Sequence, residues 1–315
     1  MAKEKISIIV PCYNEQESLP IFYKEVDKVS KEMKTLDFEF LFVNDGSKDG
    51  TLKILRDLSK KDKRVRYISF SRNFGKEAAM YAGLSSSEGD YVAIMDADLQ
   101  DPPEMLKTMY QDIQEEGYDC VALYTKSHKG YNFIRKGLTA CWYKVIDKIT
   151  KTHQMPGARD FRLMTRQMVD SLLAMPEYNR YTKGMFGFVG FDTKWIDYHA
   201  PERVAGTSKF NLKRLLSYAF EGIVAFSTAP LTIAAHIGLW FCLIAFIAII
   251  VIITKTLIWG DPVSGWPSLA CLIVFIGGLQ LFFFGVMGTY LSKIYLEVKH
   301  RPVYIIKETE KDKEK

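Results

Sequence analysis

Two stretches of this 315-residue chain contain no Asp, Glu, Lys or Arg: residues 231–254 and residues 266–292. Each exceeds the roughly 20 apolar residues that cross a bilayer as a helix. Helices of water-soluble proteins seldom stay uncharged for so long, because one side normally faces solvent. Between the two lies a short turn with Gly260, Asp261, Pro262 and Gly265. A transmembrane hairpin is therefore expected, with helices at about residues 231–258 and 266–291.

Charge placement orients that hairpin. Lys213 and Arg214 precede the first stretch and Lys293, Lys299 and Arg301 follow the second, whereas the turn carries Asp261. Lys255 sits at a helix end, where its stem can snorkel. Positive-inside bias then puts both termini and the large amino-terminal part in the cytoplasm, in a multi-pass membrane protein. Trp240, Trp259, Trp266 and Tyr290 include candidate interface anchors. The stretches hold only Gln280, Thr232, His236 and a few hydroxyls as polar groups, too little to line a channel.

The remaining composition narrows the field. Lys and Arg number 42 against 37 Asp and Glu, a net charge of +5, and no nucleic-acid partner is expected. Cys12, Cys120, Cys141, Cys242 and Cys271 show no C-x-x-C spacing, which agrees with a reducing compartment and argues against a metal cluster. Residues 6–10 are apolar but too short a run for a signal peptide, and they read as a first strand.

Apolar runs at residues 6–10, 38–43, 65–70, 91–95 and 119–125 read as buried strands, and amphipathic segments such as Leu19, Phe22, Val26, Val29 and Met33 read as helices between them. Strand and helix in alternation predict an α/β domain with a mostly parallel sheet and helices on both faces. Ligands on such sheets collect at the carboxyl ends of the strands. Here four of those ends are polar: residues 11–15, 44–47, 71–76 and 96–100. Asp96 and Asp98, two apart in extended backbone, face the same way and can share a Mg²⁺ or Mn²⁺ that binds a diphosphate. The bland alternative is an acidic turn, with Asp101 capping a helix opened by Pro102 and Pro103. Asp45 and Glu15 can accept hydrogen bonds from a base or ribose; the alternative for Asp45, Ser47 and Asp49 is helix capping. There is no G-x-x-x-x-G-K-[ST] and no G-x-G-x-x-G, so a P-loop hydrolase or a dinucleotide oxidoreductase lacks its phosphate cradle.

Residues 120–146 lack acids and gather Lys126, Lys129, Arg135 and Lys136, either a solvated helix face or a landing site for a phosphorylated substrate or anionic lipid. Asp160, between Arg159 and Arg162, is a candidate catalytic carboxylate or a structural ion pair. Arg203, Ser208 and Lys209 fall in a basic loop ahead of an amphipathic segment, and residues 307–315 read as a solvated mixed-charge tail.

Six motifs in order carry a resemblance: Pro11-Cys12-Tyr13-Asn14-Glu15, Asn44-Asp45-Gly46-Ser47, Ser71-Arg72-Asn73-Phe74-Gly75-Lys76-Glu77, Asp96-Ala97-Asp98-Leu99-Gln100-Asp101-Pro102-Pro103, Asp160-Phe161-Arg162-Leu163, and Arg203 with Ser208-Lys209. The chain resembles the bacterial polyprenyl-phosphate glycosyltransferases, inverting family-two enzymes of the dolichyl-phosphate mannosyltransferase type. The resemblance covers about residues 5–225 and implies a GT-A catalytic domain at 1–210, a juxtamembrane helix at 211–228, two transmembrane helices within 229–295 and a cytoplasmic tail at 296–315. It implies a nucleotide pocket of Pro11, Tyr13, Glu15, Asp45, Lys76 and Asp96, and a Mg²⁺ or Mn²⁺ on Asp96, Asp98 and Gln100. It further implies a lid of Arg203, Ser208 and Lys209, with Asp160, Arg203 and Lys209 serving catalysis, and a homotetramer in the bacterial inner membrane. Lys126 and Lys129 stand where relatives often place arginines, and lysine lacks the bidentate fork for phosphate. The expected reaction moves one sugar, from UDP-glucose or UDP-N-acetylglucosamine, to undecaprenyl phosphate. A processive polysaccharide synthase is the nearest rival, but none of Trp142, Trp195, Trp240, Trp259 and Trp266 follows an arginine, so the Gln-x-x-Arg-Trp stretch is missing. A non-catalytic nucleotide-binding membrane protein is the other rival, and the Asp96/Asp98 pair argues against it.

Overall fold

The computed structural model describes residues 3–125, 155–198, 224, 227–259 and 265–312. In chain order the elements are β1 (Lys5–Cys12), α1 (Leu19–Glu32), β2 (Asp37–Asn44), α2 (Thr51–Lys61), β3 (Val65–Phe70), α3 (Lys76–Ser86), β4 (Tyr91–Ile94), α4 (Met105–Glu116), β5 (Cys120–Tyr124) and β6 (Ala158–Thr165). They continue with α5 (Arg166–Leu173), α6 (Thr182–Phe188), β7 (Thr193–Asp197), α7 (Ala229–Trp259), α8 (Trp266–Val298) and β8 (Ile306–Thr309).

The strands form one mixed sheet in the order β7-β5-β6-β4-β1-β2-β3-β8. Its centre, β4-β1-β2-β3, is parallel. Both faces of that block are covered, which is why β1 and β2 are apolar at consecutive positions instead of alternating. Ile6, Ile8, Val10, Phe38, Phe40 and Phe42 meet α1, α2 and α4 on one face. Leu41, Val43, Ile68 and Phe70 meet Ala78, Ala79 and Ala82 of α3 on the other. The small side chains of α3 let it sit close: a Cβ on Gly83 would lie 2.2 Å from Cγ2 of Ile9.

One acid is buried inside this sheet. Glu39 on β2 accepts from Ser7 Oγ, from Arg66 Nη1 at 2.5 Å and from Glu88 N at 3.1 Å. Burial opposes its ionisation, but the Ser7 hydroxyl, the Glu88 amide and Arg66 together hold the carboxyl below its ordinary value. Its stabilising contribution is thus present above the unfolded value near pH ~4.3 and disappears as pH falls through the lower folded value. Glu39→Ala leaves the Ser7 hydroxyl proton and the Glu88 amide without their acceptor, while Ser7 Oγ still accepts from Gly89 N and Arg66 keeps Glu88 and Glu310. A loss of about 2 kcal/mol is expected in thermal or denaturant unfolding at pH 7, shrinking towards pH ~3.

The sheet continues beyond the parallel block through pairings that sequence pattern did not disclose, although residues 157–164 and 195–198 themselves read as strands. β6 inserts antiparallel between β4 and β5, and β7 adds parallel to β5. At the opposite edge, part of the segment expected as a solvated tail is strand β8, antiparallel to β3. Arg56 on α2 grips Glu308 with Nε and Nη2 at 2.8 and 2.5 Å, Arg66 reaches Glu310 at 3.1 Å, and the Tyr304 ring stacks on Phe70 at 5.0 Å. The charges that suggested a solvated tail are the ones that pair with arginines of α2 and β3.

By contact the chain divides into two units, residues Met1–Leu216 with Arg301–Lys315, and residues Ser217–His300. The second holds α7 and α8, of 31 and 33 residues. Side chains such as Leu239, Trp240, Phe246, Leu281, Phe282 and Phe284 are exposed on them. Within α8, Phe275–Val298 is long and apolar enough by length and composition to cross a membrane, and none of its most apolar window is buried. Phe241 meets Phe275 across the two helices at 5.7 Å, and Tyr290 Oη donates to Ser227 O at 2.6 Å.

Candidate active site

The carboxyl ends of β1, β2 and β4 and the turn after β3 open onto a cavity of about 670 Å³. Pro11, Cys12, Tyr13, Glu15, Asp45, Asn73, Gly75, Lys76, Ala79, Asp96, Ala97 and Asp98 line it. Its volume falls in the range of small-molecule sites.

The walls are tied to one another. Asn14, in left-handed backbone at φ 57°, donates its N–H to Ser47 Oγ and accepts from Lys48 N through its side chain. Glu15 N–H donates to Thr51 Oγ1 at 2.9 Å, and Gln16 Oε1 accepts from Gly50 N at 2.9 Å. The loop after β1 is thus zipped to the loop after β2. Asp45 fastens the third wall: its carboxylate accepts the N–H groups of Phe74 at 2.6 Å and Gly75 at 2.9 Å. Gly46 makes that approach possible at φ 61°, since a Cβ there would lie 2.4 Å from the backbone carbon of Arg72. Burial pushes the Asp45 carboxyl upward against those two N–H groups and Arg72. Glu15 is raised as well, first by burial, with Asp98, Asp96 and Asp49 adding to it and the Ser18 hydroxyl opposing. The residue ahead of α2 is Gly50, and the N–H of Thr51 at the start of that helix donates to Asp49 Oδ1 at 3.0 Å.

β4 ends at Ile94, so Asp96 and Asp98 lie beyond the strand instead of together on extended backbone, with Asp98 in a turn. Residues 97 and 98 form a turn, and that turn brings both carboxylates to the same cavity. Asp101 is not a helix cap. The residue ahead of α4 is Glu104, whose side chain makes no capping bond, and Asp101 is buried, accepting from Arg159 Nε at 2.9 Å and from Tyr198 Oη. Gln100 is not among the cavity's lining residues, and its Oε1 accepts from Arg159 Nη2 at 3.2 Å.

Lys76, the first residue of α3, reaches across the cavity. Its ammonium lies 2.6 and 2.9 Å from the two carboxylate oxygens of Asp96 and 2.5 Å from Asp160 Oδ2. Lys183 of α6 approaches the other Asp160 oxygen at 3.4 Å. Burial works against ionised Asp160, but Lys76 and then Lys183 outweigh it and hold the carboxyl well below the usual range. Burial likewise works against the Lys76 charge, and Asp96 and Asp160 hold that ammonium protonated. The ion-pair partners of Asp160 are therefore these lysines and not the neighbouring Arg159, which serves Asp101.

Among the described residues no group of three or more His, Cys, Asp or Glu is gathered for a metal ion. Asp96 and Asp98 supply hard oxygen donors, and a diphosphate is the natural source of the rest. Asp96 and Asp98 line one cavity and present carboxylate oxygens, the donor type that hard divalent ions take, and the Lys76 ammonium already lies on Asp96.

A model of the glycosyl transferase family 2 matches residues 7–173. The chain is 44% identical over 304 residues to a bactoprenol glucosyl transferase of Shigella phage SfV, covering 96% of this chain and 98% of that protein. The chain belongs to glycosyltransferase family 2. It is also 42% identical to the putative glycosyltransferase CsbB of Bacillus subtilis (strain 168), over 98% of this chain and 93% of that one. A solved glucosyl-3-phosphoglycerate synthase from Mycobacterium tuberculosis, in complex with Mn²⁺, uridine diphosphate and phosphoglyceric acid, is similar at 17% identity and a TM-score of 0.48, over 70% of this chain and 76% of that one.

In this family-2 transferase the cavity gathers Pro11, Tyr13, Glu15, Asp45, Lys76, Asp96 and Asp98. Asp160 joins them through Lys76. Lys126, Lys129, Arg135, Lys136, Arg203, Ser208 and Lys209 lie outside the described residues. Sequence reading missed Lys183 and did not single out Asn73 or Cys12. Asn73 and Cys12 belong to motifs already quoted, so their signal was present. Lys183 had none, being one lysine in a short helix whose place depends on the sheet.

Proposed function

We propose that this chain transfers one glucose from UDP-glucose to a polyprenyl phosphate such as undecaprenyl phosphate, inverting the anomeric centre, on a GT-A domain held at the inner face of a bacterial membrane. The observation that carries this reading is the single cavity joining the Asp96/Asp98 pair to Glu15 and Asp45, sized for a nucleotide sugar. The name of the 44% relative favours glucose over N-acetylglucosamine and a bactoprenol carrier.

In this reading Asp45 and Glu15 accept hydrogen bonds from the base and ribose, with Pro11 and Tyr13 as pocket walls. Asp96 and Asp98 would hold Mg²⁺ or Mn²⁺, while Gln100, which accepts from Arg159, is not one of the cavity's lining residues. When bound, that ion neutralises charge growing on the departing diphosphate. Lys126, Lys129, Arg135 and Lys136 guide the lipid phosphate, and Arg203, Ser208 and Lys209 close over the donor. A lipid phosphate has its second pKa near ~6 and is already an anion at neutral pH. No strong base is needed, and a carboxyl held as low as that of Asp160 makes a poor one. Asp160 instead orders Lys76 and Lys183 beside the reacting groups. Helices α7 and α8 form the two-span hairpin, with the catalytic domain and both termini on the cytoplasmic side, and the protomers assemble as a homotetramer.

The test is a donor screen with the full chain in detergent and undecaprenyl phosphate as acceptor, offering UDP-glucose, UDP-N-acetylglucosamine and GDP-mannose. A lipid carrying one glucose is expected, from UDP-glucose alone. A ladder of polymer, or no turnover with any donor, rejects the reading.

A further inference from the structure

The contact between Lys76 and Asp96 has an electrostatic consequence for the cation site. One ammonium meets both oxygens of the Asp96 carboxylate, at 2.6 and 2.9 Å. A divalent ion bound to the same carboxylate needs one of those oxygens at roughly 2.1 Å. Two cations on one carboxylate would stand only a few ångströms apart, where like charges still repel at a moderate effective dielectric of about 20. Each occupancy therefore weakens the other. Lys76 is fixed where it competes, since it begins α3, whose alanines are buried against the sheet. Leaving Asp96 does not strand its charge, because Asp160 receives it at 2.5 Å and is itself backed by Lys183.

We propose that Lys76 is a tethered competitor at the metal site: its ammonium keeps Asp96 from binding a divalent ion well until a nucleotide diphosphate enters and offers Lys76 another anion. The ion and the nucleotide then bind together, and metal binding without donor is weak. This inference rests on the reading of Asp96 and Asp98 as the cation site.

Mn²⁺ binding to the full chain in detergent, followed by the electron paramagnetic resonance signal of free Mn²⁺, tests it without any turnover. In the absence of nucleotide, Lys76→Met is expected to bind Mn²⁺ at least about tenfold more tightly than wild type. Lys76→Arg, which keeps the charge and reports on folding, is expected to bind as weakly as wild type. With UDP present, wild type is expected to gain at least about tenfold in Mn²⁺ affinity and Lys76→Met distinctly less. Unchanged or weaker Mn²⁺ binding by Lys76→Met without UDP, beside a wild type that binds Mn²⁺ with UDP, overturns the competitor role and leaves the metal site standing. If Mn²⁺ binds to none of the three proteins, with or without UDP, the cation site itself is wrong and the competitor role falls with it.

Discussion

Asp98→Ala is expected to lower glucosyl transfer to undecaprenyl phosphate by about a hundredfold to a thousandfold while leaving the protein folded. The size follows from what the carboxylate does in the proposed reaction. A leaving diphosphate gains charge, and losing one preorganised electrostatic contact to such charge costs about a hundredfold to a thousandfold. Asp98 sits half-buried in the turn at 97–98, beyond the end of β4 and outside the hydrophobic core clusters, and its Oδ1 accepts from Gln100 N at 3.2 Å. Thermal melting in detergent should therefore stay within about 1 kcal/mol of wild type. A radiolabelled-sugar assay reads the first effect and scanning calorimetry the second. Near-wild-type transfer by Asp98→Ala removes the basis for a metal role.

Asp45→Ala is expected to weaken UDP binding by about a hundredfold, measured by titration calorimetry, through two routes at once. The carboxylate lines the cavity, and it also anchors the turn that brings Asn73, Gly75 and Lys76 into the wall. Each hydrogen bond to a charged acceptor is worth about 1.5–3 kcal/mol, and two N–H groups, of Phe74 and Gly75, lose theirs. The observed geometry gives this variant a signature that a pure ligand contact lacks: amide exchange at Phe74 and Gly75 should speed up even without nucleotide. A loss of affinity with unchanged exchange at those amides assigns Asp45 to the ligand alone.

These two residues also show how far sequence carries. Asp45 and Asp98 were legible because a parallel strand buried on both faces is written as an apolar run, and the polar residues just past the run, Asn44-Asp45 and Asp96-Ala97-Asp98, mark its carboxyl end. That pattern is local and survives without knowledge of neighbours. The partners were not legible. Asp96 and Asp98 reach one cavity through a turn that spacing alone does not specify. Gln100 and Asp101 look like members of the same acidic motif, yet both are spoken for by Arg159, nearly sixty residues downstream. Charge alternation in residues 307–312 signalled solvent, because the arginines that pair with Glu308 and Glu310 lie on α2 and β3, more than two hundred residues earlier.

By itself, the sequence determined that this chain has an α/β domain with acids at its strand ends and two long uncharged apolar segments. Hydrophobic period and charge spacing are properties of neighbouring residues. Tertiary structure alone decided that β6 lies antiparallel beside β4. That placement sets Asp160 against a lysine 84 residues away and turns two separate motifs into one charged cluster. The physical reason is that strand order is fixed by how apolar faces are covered across the whole sheet, and no local pattern encodes that choice.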